Sequence, residues 1–300
     1  MIKNTLKMLL ISTFITVLMT GCQENCCIDT DGLKINRGNK MELSFVNVST
    51  SMQGDCTLIT QNNRNYLIDA GEYQISQNTL IPFLKLRGVS RLDKIFISYP
   101  HKDHFGGVAA ILEDDYFEVG EIYINQVSKE KLLMDDNNTN YSQLLEIYNF
   151  ENIIKMETGD IIRLDEDSWI DILYAYQDQN NEDNATTIND ESVVMMLNKN
   201  RNRVLFTGDL GDKSAKEILS LDIDIRANIL KLPHHGAEPY ASNAFLDKVD
   251  ASLYVLTINP QFWNSNDLKH IKRLRRMKTY LKGKDFLNIG LIGTQSFFLE

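Results

Sequence analysis

From Met41 onward, short apolar runs alternate with segments of helical period. "LSFVNV" predicts a strand, and "CTLIT" and "NYLIDAG" flank the turn "QNNR" as a hairpin. "ISQNTLIPFLKLRG" has helical spacing, with Gly88 placed to stop it. "KIFIS" is continuously apolar, as in a strand buried on both faces, and "GGVAAILED" after it predicts a helix. The second half repeats this grammar. "VVMML", a turn at "NKNRN" and "RVLFTGD" are followed by the helix "KSAKEILSL", then "NILKLPHHG", the helix "NAFLDKV" and "SLYVLTIN". No short tandem repeat is present, and the alternation predicts an α/β fold in two halves. The polar, acidic stretches "MDDNNTNY" and "QDQNNEDNATTIND" between the halves predict mobile surface loops.

The N-terminus follows another pattern. Lys3 and Lys7 precede the apolar run "MLLISTFITVLM", which ends in "TGC" and is short for a membrane span. "MTGC" resembles the lipobox of bacterial lipoproteins, with Met19 at the usual leucine position and Leu18 one place earlier. That resemblance implies cleavage before Cys22, lipidation of Cys22, and an extracytoplasmic location anchored to a bacterial membrane. The expected divisions are a signal peptide over 1–21, a polar tether over 22–40 and one domain over 41–300. With 300 residues and 43% hydrophobic content, the chain is long enough to bury a full core. Cys26, Cys27 and Cys56 give neither a disulfide framework nor a zinc knot.

A net charge of −10 argues against a general grip on nucleic acid. Yet the segment from Lys269 to Lys284 holds eight of the 31 basic residues and no acid. A solvated helix face is the commoner origin of such a segment, and contact with a polyanion is the alternative.

Four of the five histidines fall in "SYPHKDHFGG" (His101, His104) and "KLPHHG" (His234, His235), each after an apolar strand and behind a proline. Pro100 and Pro233 stiffen these loops. Asp69 in "YLIDAG" and Asp209 in "VLFTGD" end two other strands, each beside a glycine. Strand-end imidazoles and carboxylates from several strands converging on one point are what a divalent metal requires.

At this point the chain resembles the metallo-β-lactamase fold hydrolases, whose signature is H-x-H-x-D-H followed by x-G-G. It is most similar to the ComEC-type β-lactamase-like domain of bacterial DNA uptake. "QGDCTLI", "LIDAG", "SYPHKDHFGG", "VLFTGD" and "LKLPHHG" match in order, over roughly Met41 to the C-terminus. The resemblance implies a four-layer αββα sandwich. By position it makes Asp103 and His104 ligands of a second metal site, Asp209 the bridging carboxylate, His101 a ligand of the first site and His235 the distal ligand, with His234 as the alternative. Asp55 and Asp69 brace the loops or touch the site from its edge.

The pattern's first histidine is Tyr99 here, and its serine after "HHG" is Ala237. The first metal site is therefore expected to be weakened, with Tyr99 as a phenolate at best, and one metal to be bound tightly. Zinc suits the donor set, and manganese and iron fit its oxygen-rich character. The expectation is a metal-dependent hydrolase of a phosphodiester, in nucleic acid or a phosphorylated envelope polymer, with Asp103 orienting or deprotonating water. The alternative is a degenerate domain that binds a ligand or partner, and β-lactam hydrolysis is a weaker third reading. Oligomeric state is open at this level.

Overall fold

The structure, a computed structural model, describes residues 40–176 and 187–300. The expected signal peptide, the tether up to residue 39 and Cys22, Cys26 and Cys27 lie outside the described residues. No described helix is long and apolar enough to cross a membrane.

Two seven-stranded sheets lie at the centre of the domain. The first contains β1 (Met41–Phe45), β2 (Cys56–Gln61), β3 (Arg64–Ala70), β4 (Arg91–Ile97), β5 (Glu118–Ile124) and β6 (Ile153–Lys155). The second contains β7 (Ile161–Asp165), β8 (Ser168–Tyr174), β9 (Val194–Lys199), β10 (Asn202–Phe206), β11 (Ile229–Lys231), β12 (Leu253–Leu256) and β13 (Phe286–Asn288). The last strand, β14 (Gln295–Leu299), returns to the first sheet and pairs with β1.

Each sheet has an antiparallel half and a parallel half. β3 to β6 run parallel, as do β10 to β13. Helices cross between the parallel strands: α1 (Tyr73–Asn78), α2 (Leu80–Leu86), α3 (Lys102–Leu112), α4 (Lys129–Met134), α5 (Asp136–Thr139) and α6 (Tyr141–Tyr148) on the first sheet. α7 (Asp212–Ser220), α8 (Asn243–Val249), α9 (Pro260–Trp263) and α10 (Leu268–Tyr280) serve the second, and the short α11 (Ile289–Ile292) precedes β14.

Successive side chains of a strand face opposite layers, so strands buried on both sides read as unbroken apolar runs. Ile95 and Ile97 of β4 pack under the helices, while Phe96 points between the sheets. In β9, Met195 and Leu197 face the other sheet, and Val194 and Met196 meet the outer helices. Three apolar layers result, which is the αββα sandwich the resemblance implies.

The hairpin turn is as expected: Asn62 and Asn63 both take the left-handed conformation of a two-residue turn. Two elements differ from expectation. The predicted helix over 75–88 is two helices that meet at Thr79, whose Oγ1 donates to the Ile75 carbonyl at 2.8 Å, and Pro82 has no N–H to give the Asn78 carbonyl across the junction. The stretch "MDDNNTNY" is helical where a mobile loop was expected, with Thr139 buried and bonded to the Leu132 carbonyl. In "QDQNNEDNATTIND", residues 177–186 are outside the described residues. Thr187 and Asp190 of the remainder form a reciprocal cap on a short 3-10 turn.

Candidate metal centre

The C-terminal ends of parallel strands meet at one point, and the chain turns sharply at each. Asp69 (φ 56°), Gly71 (φ 73°), Gly208 (φ 48°), His234 (φ 51°) and His235 (φ 60°) all take left-handed backbone conformations. Such a conformation costs a non-glycine residue roughly 1–2 kcal/mol. It is maintained where the surroundings determine it, as they commonly do at functional sites.

The two glycines of "HFGG" explain how α3 reaches this point. A Cβ on Gly107 would lie 2.1 Å from the Ala70 carbonyl oxygen, and one on Gly106 would lie 2.6 Å from the Tyr73 nitrogen. Without side chains there, α3 presses onto the turn after β3 and Gly107 N–H bonds the Gly71 carbonyl at 2.8 Å. The helix starts at Lys102, earlier than the apolar pattern indicates, so Asp103 and His104 sit in its first turn, where a carboxylate is favoured.

Two histidines are fixed by their Nδ1 atoms. His104 Nδ1 lies 2.9 Å from Asp69, whose carboxylate also accepts from Ser98 N (2.8 Å) and Ser98 Oγ (2.6 Å). His235 Nδ1 lies 2.9 Å from Asp55. Asp55 in turn accepts from Thr257 Oγ1 and pairs with Lys231 at 2.6 Å. The Nε2 atoms then point inward. His104 Nε2 is 3.1 Å from Asp209, and His235 Nε2 is 3.2 Å from Asp103 and 3.5 Å from Asp209. His235 Nε2 is buried, yet no hydrogen bond satisfies it.

Asp55, His104, Asp209 and His235 place one ligand-type atom each within 4.8 Å of one another, so the described residues include a candidate Asp/His metal site. Within it, Asp55 differs in kind. Its oxygens are already taken by Lys231, Thr257 and His235, whereas Asp103 faces the unpartnered His235 nitrogen. The inner set is therefore His104, His235, Asp209 and Asp103, with Asp69 and Asp55 behind the two rings, an arrangement in which outer carboxylates orient metal-binding imidazoles.

Four carboxylates with one lysine among them form an acidic cluster. Burial pushes the His235 imidazole down, but Asp209 and Asp55 outweigh it and raise it to about 9. Burial likewise works against Asp209, and His235 and His104 still hold it well below the usual carboxylate range. A buried, carboxylate-rich cluster with an orphaned imidazole nitrogen fits a divalent cation.

The place of the first site looks different. The Tyr99 hydroxyl is bonded to Asn189 Oδ1 and lies 3.0 Å from His101 Nε2, which is also 3.0 Å from Asp135. Tyr99 is fully buried, and its ring tilts over His101 at 4.2 Å between centroids. A hydrogen-bonded tyrosine, histidine, aspartate and asparagine occupy this position. His234 bonds the Ala237 carbonyl through Nδ1 at 2.6 Å and keeps Nε2 3.8 Å from Asp209.

Sequence reasoning did not find Asp135, Asn189, Lys231, Thr257 or Ser98. Lys231 had a signal, a lysine inside the apolar strand "ILKL". Asp135 and Asn189 had none, since both lie in stretches read as loops.

The chain matches the metallo-beta-lactamase superfamily over residues 50–183. It is 25% identical over 255 residues to competence protein ComA of Neisseria gonorrhoeae, covering 85% of this chain and 32% of that protein. It is 20% identical over 188 residues to ComE operon protein 3 of Bacillus subtilis, covering 62% and 22%. The chain thus matches a third or less of the length of these curated relatives. It superposes with a TM-score of 0.54 on the metallo-beta-lactamase fold protein YhfI from Bacillus subtilis, at 12% identity over 87% of this chain and 100% of that one. With CmlA, a diiron beta-hydroxylase from Streptomyces venezuelae, the TM-score is 0.52 at 10% identity, over 87% and 55%. At such identities the structural likeness shows the fold alone.

Proposed function

Because this chain carries a metallo-β-lactamase fold domain, we propose that it is a metal-dependent phosphodiesterase held at the outer face of a bacterial membrane by a lipid on Cys22. One observation carries the hydrolase reading: His104 Nε2, His235 Nε2 and Asp209 converge at strand ends, with the His235 nitrogen buried and unpartnered. In this reading His104, His235, Asp209 and Asp103 hold one divalent cation, and Asp69 and Asp55 fix the rings. Two imidazoles with two carboxylates suit zinc, and the oxygen share admits manganese or iron.

A divalent cation there supplies Lewis acidity toward water and toward an ester oxygen. Asp103, in the wall of the pocket that opens over Asp209 and His234, is placed to accept the proton an attacking water gives up. His101 lines the same pocket, bonded to Tyr99 and Asp135. That bonding supports a site built for one cation.

The test is turnover of bis-p-nitrophenyl phosphate by zinc- or manganese-loaded protein beside an Asp103→Ala, His104→Ala double variant. Turnover by the native chain alone supports the reading, and equal turnover by both removes it. Tyr99 at the position of the family's first histidine favours a second reading, a domain that binds without turnover. Metal uptake without ester hydrolysis decides for that one, and nitrocefin turnover would decide for a β-lactamase.

A further inference from the structure

The chain is acidic, but its α10 region is not. Between Lys269 and Lys284 stand eight basic residues and no acid, while the remainder of the chain carries 41 acidic residues against 23 basic. Asp267, just before the segment, caps the helix by accepting from the Lys269 N–H. α10 is docked by a narrow apolar stripe of Leu274, Met277 and Leu281, all buried. The side turned to solvent has its own stripe. Leu268, Ile271, Lys272, Arg275 and Thr279, with Lys282 just past the helix end, follow the three- and four-residue spacing of one helix face, and all are exposed. Leu268 is 72% exposed and Ile271 41%, so aliphatic side chains stand in water among the cations.

The cations of this face are not used within the fold. Arg276, on its flank, pairs with Glu238 at 3.1 Å, whereas Lys272, Arg275 and Lys282 form no ion pair or side-chain hydrogen bond among the described residues. Beside them lies a recess of about 450 Å³. Ile271, the buried Leu274 and Trp263 give it an apolar floor, and Arg275, Lys278 and Lys282 give it a cationic rim. Lys278 Nζ donates to the Trp263 carbonyl at 2.9 Å and sits 4.2 Å from the indole centre, so the ring is already covered and offers no free face for stacking.

We propose that the solvent face of α10 docks on an anionic lipid surface, with Lys272, Arg275 and Lys282 among the headgroup phosphates and Leu268 and Ile271 at the boundary with the acyl chains. The charge of the face calls for an anionic partner, and the interleaved aliphatic side chains select among anions. A soluble polyanion gives Leu268 and Ile271 nothing to bury against, whereas a bilayer offers phosphates to the cations and hydrocarbon to the aliphatic groups within one shallow layer. The contact is separate from a lipid on Cys22 and stands without it. Arg273, on the flank of the same helix, lines the pocket that contains Asp103 and Asp209, so docking sets that pocket at the margin of the contact. Only this last consequence rests on the hydrolase reading.

The experiment is flotation of the full chain, carrying Cys22→Ser so that no acyl chain holds it, with vesicles of phosphatidylcholine alone or in equal parts with phosphatidylglycerol. The N-terminal apolar run with Lys3 and Lys7 is common to every variant, so the change from native to variant reads α10 alone. Circular dichroism and metal content serve as controls. Lys272→Gln, Arg275→Gln and Lys282→Gln together should weaken binding to the mixed vesicles by about fivefold per cation, on the order of a hundredfold in all at low salt. The loss should shrink as salt is raised. Leu268→Ser with Ile271→Ser should weaken it about tenfold at low and high salt alike, because burial of apolar surface is not screened.

Unchanged binding by the folded triple variant, or equal binding of the native chain to both kinds of vesicle, overturns the proposal. Binding that depends on the three cations but not on Leu268 and Ile271 overturns the lipid assignment. If a short oligothymidylate binds through the same cations and the vesicles do not, the face is a contact for a soluble polyanion and the proposal falls. Failure of bis-p-nitrophenyl phosphate turnover removes the hydrolase reading and leaves vesicle binding as measured.

Discussion

His235 is held at Nδ1 by Asp55 at 2.9 Å, while its Nε2 points inward, 3.2 Å from Asp103 and without a hydrogen bond. Asp55 precedes β2 in the first sheet and His235 follows β11 in the second, so this one ring ties the ends of the two sheets together. The ring's inward direction is therefore set by a residue outside the inner cluster.

Asp55→Asn should affect two properties at once. It strands the buried Lys231 ammonium without its carboxylate, at a cost of about 3–5 kcal/mol in urea denaturation. It also frees the His235 ring, which should weaken zinc affinity roughly 10–100-fold in a chelator competition. Adding Lys231→Met should restore most of the stability and little of the affinity. Recovery of both together would show that Asp55 acts on stability alone.

Native mass spectrometry should find one cation per zinc-loaded chain and none in Asp209→Ala. Tyr99→Phe should keep one. Tyr99→His, which frees His101 from the phenol and adds an imidazole, should raise the count toward two. An unchanged count in Tyr99→His would mean that Asp135 and Asn189, not the tyrosine, close that position.

Gly107→Ala puts a methyl group where the Ala70 carbonyl already stands. Because the obstacle is backbone, α3 must shift, at a cost of roughly 1–3 kcal/mol. Asp103 and His104 move with it, so zinc affinity should fall in this variant although no ligand is altered. Equal affinity in Gly107→Ala and the native chain would contradict the role given to the glycine.

The residues legible in the sequence were those whose place is set by local grammar. Asp69, Asp209 and His235 stand where an apolar run stops, and a strand buried on both faces announces both itself and its end. The partners that cross between elements were not legible. Asp135 reaches His101 from a helical stretch that its own polar sequence does not predict, and Asn189 reaches Tyr99 from a 3-10 turn beside residues 177–186. β14 is the short segment "QSFFL", and no local feature says that it returns to β1 in the first sheet.

Away from the site, Asp224 is bonded by Arg226 and Arg203, which hold its carboxyl below the usual carboxylate range. A lowered folded value stabilises the fold above the ordinary value of about 3.9, and that contribution is lost as pH falls through the folded one. Asp224→Asn should therefore lower stability at neutral pH by no more than about 1 kcal/mol, since the group is half exposed. The gap between variant and native chain should narrow below about pH 4 in thermal melts and stay constant between about pH 6 and 8, as expected of a carboxylate ionised across that range.

β1 is bonded on both sides, to β14 over five residue pairs and to β2 over four. A pull on Met41 along the strand loads both ladders in shear, so many hydrogen bonds must yield together rather than one after another. Lys40 beside Glu300 marks where that load enters the domain, next to the chain's other end. A domain joined to its surroundings through this strand would take tension in the antiparallel half of one sheet, leaving the parallel strands that carry the histidines and aspartates outside the direct line of force.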